Sequence, residues 1–173
     1  VEAGHAQALV ETFDPAELTR GVAATVGSLV RHRFNRLHVD VPDRTDPMSS
    51  DPGKIRQCLL NLLGNAVKFT EHGDITVQLR PAQLSDGTAA LAWRVTDTGI
   101  GMTPQQCARV FEAFTQADAS IARHYGGTGL GLTLSSALAA VLGGTLTATS
   151  ALGQGSTFTL LLPVCAPQPE EMA

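Results

Sequence analysis

Between Tyr125 and Leu132 the chain reads "YGGTGLGL", with Gly126, Gly127, Gly129 and Gly131 directly ahead of an apolar stretch of helical spacing. Glycines just before a helix remove Cβ atoms where backbone N–H groups must approach an anion. The helix N-terminus adds a favourable potential of about 0.3 to 1 kcal/mol. A phosphate is the natural ligand. A P-loop would carry Lys and Ser or Thr after its second glycine, but Gly131 is followed by Leu132 and Thr133. A dinucleotide fingerprint would follow a strand, but "FTQADASIARHY" is polar and irregular. What remains is a polar segment hinged at Gly126 and Gly127 and closing over a helix that starts at Leu130, as a lid would. The alternative is a flexible loop before an ordinary core helix.

A second group is "VTDTGIGM", where Asp97 ends an alternating strand and Gly99 and Gly101 follow. Asp97 can cap its own loop in an Asx turn. It can equally act as a half-buried, acceptor-only carboxylate suited to the exocyclic amino group of adenine and opposed to the O6 acceptor of guanine. A third group is Asn61, Asn65 and Lys68, spaced i, i+4 and i+7 along one stripe of a helix. They form either a harmless polar edge or a metal and phosphate edge, with an Asn carbonyl as a hard oxygen ligand for Mg²⁺ and Lys68 reaching a phosphate.

The elements that must position these groups follow from local signals. "FDPAEL" supplies Asp14 as N-cap and Pro15 at the first helical position, so a helix of about 15 residues is expected. "RLHVDV" alternates as a strand and leads into a turn-rich loop through "PDRTDPMSSDPG". Asp51 and Pro52 open a second helix, whose apolar residues Ile55, Leu59, Leu62, Leu63, Ala66 and Phe69 recur at spacings of three and four. "DITVQLRP" with "TAALAWRVTD", and "GTLTATS" with "STFTLLLP", predict two hairpins. The expected fold is α+β: a two-layer sandwich with a mostly antiparallel sheet of about five strands and the helices on one face.

A chain of 173 residues, 43% hydrophobic, suits one compact domain. Its formal charge of -4, without a Lys/Arg cluster, argues against a nucleic-acid surface. No apolar run nears the roughly 20 residues that cross a bilayer, and no signal-peptide pattern opens the chain. Cys58, Cys107 and Cys165 are odd in number and far apart, which indicates neither a disulfide framework nor a zinc site. A soluble, cytoplasmic chain without membrane contact is expected, although a longer parent protein could itself be membrane-anchored.

The ordered set "NLLGNAVKFT", "DTGIGM", "FEAFTQAD", "GGTGLGL" and "GQGSTF" resembles the five motif boxes of the ATP-binding domain of sensor histidine kinases, over about residues 50 to 164. "FTQADASIARHYGGTGLGL" is most similar to hybrid kinases. The resemblance implies a Bergerat-type fold binding Mg-ATP. It assigns Asn65 to Mg²⁺, Asp97 to adenine, Gly99 and Gly101 to the base pocket, and Gly127, Thr128, Gly129, Leu130, Gly131 and Leu132 to the phosphates. Phe111 and Phe114 would anchor the lid, and Thr157 would back the adenine site. Asn61, Asn65 and Lys68 become the candidate catalytic residues. Ile100 and Met102 read as apolar walls of the adenine pocket, with Trp93 in the core. Arg123, His124 and Tyr125 lie in the lid, either solvated or touching phosphate oxygens on closure.

The family's phosphoacceptor is a His followed by an acidic residue, and none of His5, His32, His38, His72 and His124 has that context. The expected organisation is therefore the end of an upstream dimerisation helix at 1–12, the ATP-binding domain at 13–164 and a linker at 165–173. Such a chain would act with a phosphoacceptor/dimerisation domain of the same parent and with a receiver domain. The parent would be a homodimer and this piece a monomer. Three rivals stand beside this reading: an ATPase, a non-catalytic ATP-sensing module and a serine-kinase relative. Related ATPases place a Glu where this chain has Asn61, and an amide cannot act as a general base.

Overall fold

A computed structural model describes residues 8–112 and 130–167. Its elements are β1 (Glu11–Phe13), α1 (Pro15–His32), β2 (Arg36–Asp40), β3 (Met48–Ser50), α2 (Pro52–Phe69), β4 (Asp74–Gln83), β5 (Ala89–Asp97), α3 (Pro104–Ala108), α4 (Leu130–Val141), β6 (Thr145–Ala151) and β7 (Gly155–Pro163). Five strands form one sheet in the order β2-β4-β5-β7-β6, with β2 parallel to β4 and the other pairs antiparallel. This is the expected α+β sandwich.

Both helix starts form as their caps dictate. Asp14 accepts the Ala16 N–H at 2.9 Å, and Asp51 accepts the Lys54 N–H at 3.1 Å, each with Pro at the first helical position. α1 runs to 18 residues, past the expected 15. Its buried line of Leu18, Val22, Val26 and Val30 continues the apolar spacing to the end.

Two differences from expectation lie near the N-terminus. Glu11–Phe13 is a strand and no helix covers residues 8–12, whereas the sequence predicts the end of an incoming helix up to residue 12. The strand pairs antiparallel with Met48–Ser50, inside the stretch read as a plain loop, in the register Glu11↔Ser50. Three-residue strands carry too little periodicity to show in sequence. The Leu9 N–H also donates to Asp51 Oδ2 at 2.8 Å, tying the entering chain to the cap of α2.

One sheet face is buried through Ile75, Val77 and Leu79 of β4, Trp93 and Val95 of β5, and Phe158, Leu160 and Leu162 of β7. The Trp93 indole N–H donates to Thr19 Oγ1 of α1 at 2.7 Å, so its one polar atom is satisfied within the core. The opposite face carries the ion pairs Arg36–Asp74 at 2.9 Å and Arg80–Asp40 at 2.7 Å. Such exposed pairs contribute little, about 0 to 1 kcal/mol.

The end of α2 is held by the turn between α1 and β2. Arg33 donates through Nε to the Thr70 carbonyl and through Nη2 to the Lys68 carbonyl, at 3.2 and 3.3 Å. Asn35, itself buried, donates to the Thr70 carbonyl at 2.9 Å and accepts the Gly73 N–H at 2.9 Å. These bonds satisfy carbonyls that a helix C-terminus leaves unpaired. Phe34 and His72, both at positive φ, stack with ring centroids 5.0 Å apart beside them.

Candidate functional site

Asp97 closes β5 on the buried face, two residues beyond Val95, and is only 6% exposed. Its Oδ1 accepts the Gly99 N–H at 2.9 Å, so the Asx turn is real. That turn leaves acceptor capacity on the carboxylate, which offers about four lone-pair sites. Capping and ligand binding are therefore compatible here. Burial pushes the Asp97 carboxyl above the usual carboxylate range, while the Gly99 and Ser156 N–H groups and the nearby Thr70 hydroxyl pull it back.

The glycines around Asp97 are required by backbone contact. A Cβ on Gly99 would lie 2.0 Å from the Phe69 carbonyl oxygen, and one on Gly101 would lie 2.0 Å from the Ala151 carbonyl oxygen. Gly101 also sits at φ 70, the left-handed region. The Ile100 N–H donates to the Phe69 carbonyl at 3.1 Å and the Gly153 N–H to the Ile100 carbonyl at 2.7 Å. Gly99 and Gly101 thus serve to clamp the loop between α2 and the β6–β7 turn. Ile100 is 42% exposed, and Met102 packs against the core while its N–H donates to Ser150 Oγ at 2.8 Å.

On α2, Asn61, Asn65 and Lys68 are half-buried along the flank of the buried line from Ile55 to Val67. Asn61 Nδ2 donates to Ser135 Oγ at 3.0 Å and to the Gly131 carbonyl at 3.3 Å, so it joins α2 to the first turns of α4. The side chains of Asn65 and Lys68 hydrogen-bond to no other described residue. Leu130 opens α4 as expected, Gly131 sits in that first turn, and Leu132 packs against the core. Phe111 packs edge-on to Phe158 at 6.2 Å, and its carbonyl accepts from Thr133 Oγ1 at 3.0 Å. Phe114, Arg123, His124, Tyr125, Gly127, Thr128 and Gly129 lie outside the described residues.

The candidate residues are therefore organised around α2. Its middle reaches the start of α4 through Asn61, and its end reaches the Asp97 loop through the Phe69 carbonyl.

Thr157 requires correction as a residue backing Asp97. It lies directly opposite Thr96 across β5 and β7, and the two hydroxyls are 3.2 Å apart. Side chains alternate along a strand, so Thr96 and Thr157 face away from Asp97. The partner opposite Asp97 is Ser156, whose hydroxyl lies 2.8 Å from that of Ser150. Ser150 also donates to the Gly155 carbonyl at 2.9 Å. Sequence reasoning missed Ser150, Ser156 and Thr70. The period-two count from Phe158, a core residue, would have selected Ser156 over Thr157.

Among the described residues no group of three or more His, Cys, Asp or Glu is placed to hold a metal ion, and no helix is long and apolar enough to cross a membrane.

A family model described as histidine kinase-, DNA gyrase B-, and HSP90-like ATPase matches residues 50–166, and the chain belongs to this family. It is 42% identical over 165 residues to the circadian input-output histidine kinase CikA of Synechococcus elongatus, covering 94% of this chain and 21% of that protein. It is 43% identical over 119 residues to the signal transduction histidine-protein kinase BarA of Escherichia coli K12, covering 69% of this chain and 13% of that one. The chain thus spans about a fifth or less of these two relatives and is homologous to the ATP-binding domains of sensor histidine kinases. Among solved structures, full-length ShkA in complex with AMPPNP superposes with a TM-score of 0.74 at 32% identity, over 92% of this chain and 32% of that one. The nucleotide-free catalytic domain of histidine kinase ThkA superposes with a TM-score of 0.73 at 20% identity, over 91% and 99% of the two chains, which supports the fold.

Proposed function

We propose that this chain binds Mg-ATP and donates its γ-phosphoryl group to a histidine on a phosphoacceptor domain of the same parent protein, for onward transfer to a receiver domain. The observation that carries the reading is the organisation on α2: one helix presents Asn65 and Lys68, whose side chains bond to no other described residue, between the buried Asp97 loop at its end and the first turn of α4. In this reading Asp97 accepts from the adenine amino group. Asn65 contributes a carbonyl oxygen to Mg²⁺, which otherwise binds phosphate oxygens and water. Lys68 and the backbone at Gly131 and Leu132 neutralise phosphate charge, together with Tyr125, Gly127, Thr128 and Gly129. The donor set fits the ion, because an amide oxygen is hard and its side chain bonds to no other described residue. Bound Mg²⁺ would draw charge from the phosphate oxygens. Phosphoryl transfer is mainly positioning and charge neutralisation, so this chain supplies the donor and a separate histidine the nucleophile.

One observation weighs against the ATPase reading. Asn61 stands where a water-activating Glu would be needed, and its Nδ2 is committed to Ser135 and Gly131. The deciding experiment incubates this chain with γ-labelled ATP, Mg²⁺ and a separately produced histidine-bearing segment of the parent. Label on that segment is the expected result. Free phosphate released by this chain alone would favour the ATPase, and nucleotide binding with neither outcome would favour an ATP-sensing module.

A further inference from the structure

Thr70 is 1% exposed, and its hydroxyl is one of two buried side-chain polar atoms among the described residues that have no hydrogen-bond partner. A buried hydroxyl left unpaired is costly, and it persists where something else requires it. Its surroundings show what that is. Thr70 follows Phe69 at the end of α2, and its Oγ1 would lie 2.7 Å from a Cβ on Gly99, so it sits beneath the turn that the Asp97 carboxylate closes. The backbone there is fixed, because the Thr70 carbonyl takes bonds from Arg33 and Asn35 while the hydroxyl is left over. The hydroxyl is near enough to Asp97 to favour the charged carboxylate, yet it lacks the geometry of a completed hydrogen bond. Among the described residues no charged side chain influences Asp97, and the groups facing it are the Gly99 N–H of its own loop, the Ser156 N–H of β7 and the Thr70 hydroxyl from the end of α2.

We infer that Thr70 is a positioning residue for base recognition: on nucleotide binding its hydroxyl donates to the Asp97 carboxylate, holding it as a fixed acceptor for the amino group of adenine. This rests on the reading of Asp97 as the adenine contact. Thr70 acts through Asp97, since it is too buried to meet a ligand directly. The ionised carboxylate is acceptor-only, so the Thr70 hydroxyl can only donate to it and favours that charged, accepting form, whereas a protonated Asp97 would turn a donor toward the base.

The test compares the whole chain with Thr70→Val, which keeps the shape, and Thr70→Ser, which keeps the hydroxyl. Mg-ATP and Mg-GTP affinities are measured by calorimetry from pH 5 to 8. At neutral pH Thr70→Val should weaken ATP about tenfold, as befits loss of a hydrogen bond to a charged group. It should also narrow the preference for ATP over GTP and move the acid loss of ATP affinity to higher pH. Thr70→Ser should restore all three to within about twofold of the parent. If Thr70→Val does not fold, Thr70→Ala gives the same readouts. Equal losses in the Val and Ser variants, or an unmoved pH profile in Thr70→Val, would overturn the inference. If Asp97→Asn leaves ATP affinity unchanged, the parent reading fails along with it. A loss in Asp97→Asn but not in Thr70→Val removes only the role of Thr70.

Discussion

Asn61 and Ser135 are joined side chain to side chain at 3.0 Å, bridging the middle of α2 and the second turn of α4. The helix carrying Asn65 and Lys68 is thereby referenced to the helix that opens at Leu130. Asn61→Ala should lower stability by about 1 kcal/mol, as expected for loss of neutral hydrogen bonds. Ser135→Ala in the same background should add little, because the two residues share one interaction. Thermal unfolding of the two single variants and the double variant checks this. Additive losses would show that the contact does not couple the helices.

Asp97→Asn separates binding from stability. Removing the carboxylate acceptor should weaken Mg-ATP about tenfold or more. Its effect on the unliganded fold should be opposite in sign. The folded-state pKa of Asp97 is raised above its unfolded value of 3.8, so the native state binds more protons between the two values and loses stability as pH rises through that window. At neutral pH the amide should therefore unfold at a higher temperature than the parent. The advantage should fade as the pH falls below 3.8. A melting series over pH, without nucleotide, provides the measurement.

Asn65→Ala and Lys68→Ala should leave the melting temperature nearly unchanged, since neither side chain bonds to another described residue. Asn65→Ala should reduce the gain in ATP affinity on adding Mg²⁺. Lys68→Ala should weaken ATP whether or not the ion is present. Titrations with and without the ion discriminate the two roles.

Gly101→Ala should be strongly destabilising, by about 2 kcal/mol or more, because it places a Cβ at positive φ against the Ala151 carbonyl. Gly87→Ala shares the positive φ but meets nothing within 4 Å, so it should cost less. The difference between the two melting temperatures isolates the clash from the dihedral strain.

Cys58 and Cys165 should label unequally. Cys58 is buried, its Sγ donates to the Ser135 carbonyl at 3.7 Å, and burial pushes its thiol up to about 12. Cys165 is exposed. A maleimide reagent at neutral pH should therefore modify Cys165 in the native chain and reach Cys58 only on unfolding.

Much of this molecule is legible in the sequence for identifiable reasons. Asp14-Pro15 and Asp51-Pro52 announce helix starts because capping is local chemistry. The alternation through Trp93, Val95 and Asp97 shows a strand with one wet face, and it places the carboxylate on the dry side. The failures are equally physical. Glu11–Phe13 and Met48–Ser50 are too short to show a period. The family resemblance points to Thr157, although counting back from Phe158 puts Ser156 beside Asp97. Thr70 has no local signal, since its hydroxyl matters only after α2 ends against a loop some 30 residues later in the chain.

The three carbonyls lying about 2 Å from the missing Cβ positions of Gly99, Gly101 and Gly155 leave the Asp97 turn no slack. Main chain braces it from the end of α2, from the close of β6 and from β5 itself. The backbone under the carboxylate is thus something like an anvil, rigid in itself, and only the side chain above it is left to be set. A methyl group at any of those three points would displace main chain next to the carboxylate as well as lower the stability of the domain.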